Sequence, residues 1–215
     1  MTTNLATIFA ALSAERMSTY ESATRDTEHA LQLYAWNAQI SAAFMAPLHI
    51  CEVVIRNAAA DAISTVYGDR WPWSAPFLRS LPNPRGPTYK PRQDLSSVAG
   101  REQTTGKVIP ELKFVFWEKM YTSRFDGALW SPYLLRVMPN FPTGTRASAG
   151  RNRVREELSQ IRELRNRIAH HEPIFTRQLA NDYAVIRDLV NLRCGDTATW
   201  MDAHQSVTRL LQERP

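Results

Sequence analysis

The stretch RNRIAHHEPIF, residues 165–175, is the most informative part of this 215-residue chain. Upstream of it, apolar residues recur at steps of four, three, three and four, which marks one face of an α-helix. These residues are Val154, Leu158, Ile161, Leu164 and Ile168. A proline cannot continue a helix, and the residue before it is disfavoured in the α region. Because Pro173 follows this face, the helix is predicted to end near His171.

The positions of the motif side chains around this helix determine which of them lie on the same face. At about 100° per residue, Asn166 and His170 share one face, as do Arg167 and His171. Arg165 points about 140° away from His170, so a straight helix does not bring these two together. For Arg165 and His170 to meet, the helix end would have to fray, the long arginine side chain would have to reach around the helix, or a second copy of the helix would have to supply one of them.

The segment 146–167 is rich in arginine, with seven arginines against three glutamates and therefore four more positive than negative charges. The whole chain has a formal net charge of +5 and a pI near 9.5. Guanidinium groups match the geometry of phosphate oxygens, which favours a phosphate-bearing partner. A solvated helix face with ion pairs inside the helix is the alternative interpretation.

The spacing of Arg165, a polar residue and His170 resembles the Arg-x4–6-His motif of the HEPN superfamily. The wider string LRNRIAHHEPIF, residues 164–175, resembles the motif of its Abi-like, or abortive-infection, branch. A second resemblance lies in the first half of the chain, where Glu52, Arg56 and Asn57 match the Abi-like Glu-x-x-x-Arg-Asn pattern. The preceding Tyr-x-Trp-Asn run of that branch matches residues 34–37, YAWN. The resemblance covers roughly residues 28–70 and 105–195.

This resemblance implies an all-α helical bundle, and many HEPN proteins are metal-independent ribonucleases whose site forms where two copies dimerise. It implies RNA as the substrate and a homodimer as the active form. The residues expected to be catalytic are Arg165, Asn166 and His170. Those expected to support the site are Glu52, Arg56, Asn57 and His171. From the arginine excess, the residues expected to bind RNA are Arg151, Arg155, Arg162 and Arg167.

The expected chemistry needs only a proton-transfer group and a cation on the phosphate. His170 would move the proton while Arg165 binds the non-bridging oxygens, and Asn166 would orient His170. Glu52 would steady a cation of the site. The motif allows longer spacings, so His171 remains an alternative to His170 as the catalytic histidine.

Two other interpretations remain open. One is a non-catalytic HEPN-type module that binds RNA or another protein. The other is a toxin held inactive by an antitoxin or regulatory protein, as some HEPN ribonucleases are by a nucleotidyltransferase that modifies a tyrosine just after the motif histidine. Here that position is Glu172, and the next tyrosine is Tyr183, so regulation by this modification is not expected. Glu52 and Arg56 can also be explained as an ordinary surface ion pair at i, i+4 spacing.

Other classes of site are not supported by the sequence. The chain has no His-x-x-x-His or Cys-x-x-Cys pattern, so neither a metal site nor a cofactor is predicted. Cys51 and Cys194 are expected to be buried, reduced thiols. The uncharged stretch 31–51 is interrupted by polar residues and is expected to be an amphipathic helix, not a membrane span. No signal peptide is expected, and the protein is predicted to be soluble and cytoplasmic.

The predicted fold is all-α, a HEPN-like helical bundle forming a single domain over residues 1–215. Helices are predicted over residues 5–12, 14–23, 27–44, 47–67, 110–125, 130–138, 150–171, 177–193 and 197–212. Residues 71–106 hold a cluster of prolines and are predicted to form a long loop at least to Pro91, with a brief helix over 94–101. Residues 143–150 are predicted to be a mobile hinge before the motif helix.

Overall fold

The structure, a computed structural model, describes residues 4–215 and is built from helices, with no strand in that range. The all-α prediction is therefore confirmed, while the HEPN-like arrangement of the bundle stays a prediction. The α-helices are α1 Leu5–Leu12, α2 Ala14–Glu21, α3 Thr27–Tyr67, α4 Ala75–Ser80, α5 Pro91–Ala99, α6 Thr105–Glu111, α7 Phe114–Met120, α8 Ser131–Val137, α9 Ala147–Ala169, α10 Leu179–Arg193, α11 Gly195–Ala203 and α12 Val207–Gln212.

The central element is α3, which packs against α2, α9, α10 and α12. The predicted break at Pro47 is wrong, because α3 runs through it without interruption. A proline inside a helix removes one backbone hydrogen bond and costs about 3 kcal/mol. The residues on both sides, Phe44, Leu48 and Cys51, are buried in the core, and this packing offsets the loss. The helix ends at Gly68, whose φ of 80° lies in the left-handed region.

The length and composition of α3 also meet the criterion for a membrane-spanning helix. By length and composition, α3 is the one helix within residues 4–215 that could cross a bilayer. Core helices of soluble proteins satisfy the same criterion, so this is weak evidence, and the location of the protein stays a prediction.

The proline-rich segment 71–106 is more ordered than predicted. It contains a 3₁₀ turn, Trp71–Trp73, and the helices α4 and α5 before α6 begins. Trp71, Phe77 and Leu81 have no exposed surface, and the Trp71 and Phe77 rings meet edge to face. Their burial anchors the segment to the core, and residues 82–90 form its extended, largely exposed part.

The single helix predicted over 110–125 is also wrong. Glu111 ends α6, α7 follows, and a 3₁₀ turn, Ser123–Phe125, leads into a π-helical turn, Asp126–Trp130, that continues into α8. The aromatic residues of this region are core residues, as expected from their helical spacing, and Phe116 and Trp117 are buried.

The predicted apolar face of α9 is confirmed, because all five of its residues from Val154 to Ile168 are buried. The last predicted helix is instead two helices, α11 and α12, and Trp200 of α11 is 54% exposed where packing was expected. Cys51 is buried, whereas Cys194 is partly exposed, and both are free thiols.

Candidate functional site

The C-terminus of α9 closes in a Schellman cap. The Glu172 N–H donates to the Arg167 carbonyl (2.8 Å), and the His171 N–H donates to the Ile168 carbonyl (3.0 Å). His170 is the C-cap residue, so the prediction that the helix stops near His171 is confirmed.

His171 occupies the left-handed position of this cap, with φ of 55°. Glycine is usual there, and the left-handed conformation costs a residue with a side chain about 1–2 kcal/mol. Two contacts hold this strained end in place. Arg16 donates to the His171 carbonyl (2.5 Å), and Arg167 Nε lies 3.4 Å from a Glu172 carboxylate oxygen.

The chain after the motif is held by Asn37, which is only 6% exposed. Its Oδ1 accepts hydrogen bonds from the Ile174 N–H (2.8 Å) and the Phe175 N–H (3.2 Å). The YAWN run and the RNRIAHHEPIF stretch are therefore in direct contact. Sequence reasoning gave Asn37 no such role, because the partner backbone is distant along the chain.

The Glu52 segment also meets the motif helix. Arg165 Nε lies 3.7 Å from Glu52 Oε2, and with Arg56 these residues line a shallow cleft of about 220 Å³. Arg56 Nε is buried and has no hydrogen-bond partner within residues 4–215. The structure thus brings together three of the residues chosen from the sequence. Asn57 is different: it is exposed and does not line the cleft.

The three residues expected to be catalytic are all exposed at the end of α9, but they are not assembled. Within residues 4–215, no hydrogen bond or ion pair joins the side chains of Arg165 or Asn166 to that of His170. The link between Asn166 and His170 is a backbone hydrogen bond of 2.9 Å from the His170 N–H. The described part of the chain therefore presents these groups without joining their side chains by hydrogen bonds.

A pocket of about 410 Å³ lies beside the helix end. Its walls come from α2, from α3 and from the end of α9, and they include Tyr20, Tyr34, Asn37, Met45, His171 and Glu172. His171 lines it, whereas His170 does not. Met45 belongs to both this pocket and the Glu52–Arg165 cleft. No sequence signal marked the pocket, because Tyr20 lies outside both matched segments.

Most arginines of α9 form ion pairs with carboxylates from other elements. Arg151, expected to bind RNA, is 6% exposed and makes two hydrogen bonds to the Asp126 carboxylate (2.9 and 3.0 Å). That expectation is corrected, because a buried, paired guanidinium cannot reach a phosphate. Arg162 donates to Glu118 (2.6 Å).

Two more of the arginines expected to bind RNA have different surroundings. Arg167 pairs with Glu172, as described above. Arg155 is exposed and makes no hydrogen bond or ion pair through its side chain in the described part of the chain. Two of the four arginines expected to bind RNA, Arg151 and Arg162, are thus paired with acids that are distant in sequence.

Within residues 4–215, no three His, Cys, Asp or Glu side chains are grouped as a metal site requires. Comparison with protein-family models, curated proteins and solved structures finds no significant match to this chain. The Abi-like resemblance therefore depends on the two motif segments alone and stays a prediction.

Proposed function

We propose that this protein is a metal-independent endoribonuclease of the HEPN type that acts in bacterial phage defence, by abortive infection, or in a toxin system. The observation that carries the proposal is the meeting of two distant motif segments at one exposed helix end. Glu52 contacts Arg165 at 3.7 Å, and Asn37 holds the backbone just after the motif. We take the cytoplasm as its place of action.

In the proposed reaction, the 2′-oxygen of a ribose forms a bond to its own 3′-phosphorus and the bond to the 5′-oxygen breaks. His170 takes the proton of the 2′-hydroxyl, and the leaving 5′-oxygen takes a proton from water. Arg165 binds the non-bridging oxygens, where negative charge increases in the transition state. The products carry a cyclic phosphate and a 5′-hydroxyl. No metal or cofactor takes part in these steps.

The active form in this proposal is a homodimer with two motif helices facing each other. Within residues 4–215 no hydrogen bond joins the side chains of Arg165 and His170, and a second copy would supply the missing partner. Mixing an Arg165→Ala protein with a His170→Ala protein tests this under conditions of subunit exchange. A composite site recovers partial activity, while a site built within one chain recovers none.

The direct test of the reaction is incubation of the purified protein with total RNA in EDTA. Cleavage is expected to continue, and its products are expected to carry cyclic phosphate and 5′-hydroxyl ends. Recovery of activity only after a divalent ion is added, or 5′-phosphate ends, would contradict the proposed chemistry.

A second candidate is a non-catalytic module that binds RNA or protein. The lack of a hydrogen bond between the side chains of Arg165 and His170 within residues 4–215 favours it, because the proposed catalytic pair is not assembled in one chain. Binding of RNA without cleavage, under conditions where the protein is dimeric, would support this candidate over the enzyme.

Control by an antitoxin or regulatory protein is part of the proposal, but modification of a tyrosine beside the motif is not. Tyr183, the first tyrosine after the motif, is buried, and its hydroxyl donates to Asp202 (2.7 Å). A modifying enzyme would have to break this contact to reach it.

A further inference from the structure

We propose that the 410 Å³ pocket at the end of α9 binds a keto nucleobase, uracil or guanine, through the side-chain amide of Asn37. The base could belong to a free nucleotide or to RNA. Only the second source depends on the proposed ribonuclease function. The pocket has the size of ordinary small-molecule sites, which are mostly apolar with a few fixed polar groups.

The first fixed group is the amide nitrogen of Asn37. Both hydrogen bonds to Ile174 and Phe175 use Oδ1, so the orientation of the amide is set. Nδ2 has no hydrogen-bond partner within residues 4–215, although the residue is almost fully buried and lines the pocket. Nδ2 is not among the side-chain atoms that are shielded from solvent without a partner, so it keeps contact with solvent, and a ligand oxygen in the pocket can accept from it.

The second fixed group is the hydroxyl of Tyr20. This residue is 1% exposed, lines the pocket, and makes no side-chain hydrogen bond within the described residues. Burial, together with the neighbouring Tyr34, raises the pKa of Tyr20 to about 12. The phenol therefore keeps its proton at neutral pH and offers a second donor.

The remaining walls suit a flat ring. Tyr34 packs edge-on against Tyr20, with ring centroids 5.1 Å apart, and Met45 and small residues of α3 complete an apolar surface. Aromatic and thioether groups are good surfaces for a base because every base has a π-face.

The hydrogen-bond donors and acceptors of the pocket favour keto bases over amino bases. Uracil and guanine carry a ring N–H beside a carbonyl oxygen. Asn37 donates to such an oxygen, and the carboxylate of Glu172 at the same pocket accepts from such an N–H. Cytosine and adenine place an amino group where the keto bases have the carbonyl, so their donor would face the donor of Asn37. Met45 lines both this pocket and the Glu52–Arg165 cleft, so the two are neighbours on the surface.

The test is a calorimetric titration of the intact protein with UMP, CMP, GMP and AMP. UMP and CMP are the matched pair because their bases differ only in the polar groups of the pairing edge. We expect UMP and GMP to bind about tenfold more tightly than CMP and AMP, which is the effect of one hydrogen bond gained or lost in the pocket.

The sharpest variant is Asn37→Asp. It keeps an oxygen for the Ile174 and Phe175 N–H groups but replaces the donor with an acceptor, so the preference is expected to reverse toward CMP. Asn181→Asp, at an exposed position of α10, is the matched control and is expected to leave the UMP-to-CMP ratio unchanged. Tyr20→Phe removes only a hydroxyl and is expected to weaken UMP binding several-fold.

Equal binding of UMP and CMP by the wild type, or no binding of any nucleotide at millimolar concentration, would overturn the proposal. So would an unchanged ratio in a folded Asn37→Asp protein. If Asn37→Asp does not fold, the wild-type ratio and Tyr20→Phe decide the question.

Uridine and cytidine oligonucleotides, added as competitors, distinguish RNA from free nucleotide as the natural source. If the protein shows the expected nucleotide preference but does not cleave RNA, the base-binding proposal is supported and the ribonuclease proposal is contradicted. If the protein cleaves RNA but does not distinguish UMP from CMP, the ribonuclease proposal is supported and the base-binding proposal is contradicted.

Discussion

The two ends of α9 use arginine in opposite ways. Near its N-terminus, Arg151 is buried and grips the Asp126 carboxylate with two hydrogen bonds. Near its C-terminus, the side chain of Arg165 is 45% exposed and has a single looser contact to Glu52 at 3.7 Å. Arg162 lies between these cases, half-buried against the buried Glu118. The helix is thus fixed at one end and presents its side chains at the other.

This difference has an energetic basis. Breaking a buried ion pair leaves a desolvated charge without compensation and is strongly destabilising. Exposed ion pairs contribute little, about 0–1 kcal/mol, because water screens them. Stability is therefore expected to depend on the arginines in the order of their burial, while any role in catalysis follows the reverse order.

The largest expected loss of stability comes from Arg151→Ala. Removing one partner of a buried pair costs about 3–5 kcal/mol, and we expect about 2–4 here because Asp126 keeps part of its surface in water. Denaturant unfolding monitored by circular dichroism measures the change. Arg155→Ala, on the exposed face of the same helix, is the control and is expected to change stability by less than about 0.5 kcal/mol.

Arg162→Ala is expected to have an intermediate effect, about 1–2 kcal/mol, because it leaves the buried Glu118 carboxylate without its charged donor. The same unfolding measurement applies. A loss equal to that of Arg151→Ala would contradict the proposed gradient along the helix.

The strained cap offers a gain in stability. His171→Gly removes the strain of the left-handed conformation but adds chain entropy to the unfolded state. The net result is expected to be a stabilisation of about 0.5–1 kcal/mol, seen as a higher midpoint of unfolding. A destabilised protein would mean that contacts of the His171 side chain outweigh the strain.

The smallest effect on stability is expected for Arg165→Ala, below about 0.5 kcal/mol, because its one ion pair is exposed and loose. RNA cleavage should nevertheless be lost. An Arg165→Ala protein with both full stability and full activity would contradict the expectation that the exposed end of α9 serves catalysis.

Local patterns predicted part of this structure well. The steps between Val154 and Ile168 identified the buried face of α9, and Pro173 placed its end correctly. These features depend on neighbours in sequence. Proline rules failed at Pro47 for the same reason: they describe the local backbone, whereas packing of Phe44, Leu48 and Cys51 decides the outcome.

Features that depend on distant partners were missed. The burial of Arg151 follows from Asp126 on the turn before α8, and no local signal marks that pairing. Trp71 and Phe77 anchor a segment whose prolines indicated a loop. The contact of Glu52 with Arg165 was anticipated only as part of a resemblance, because spacing along one helix says nothing about a second one.

We propose that the exposed end of α9 is the site of RNA cleavage. Its most direct test is the single-turnover cleavage rate of His170→Ala beside His204→Ala. His204 is a matched control because it is also an exposed histidine at the C-cap of a helix, α11. Loss of one proton-transfer group is expected to slow cleavage about 10²–10⁴-fold in His170→Ala, with unfolding unchanged. Cleavage at the wild-type rate by His170→Ala would contradict the claim.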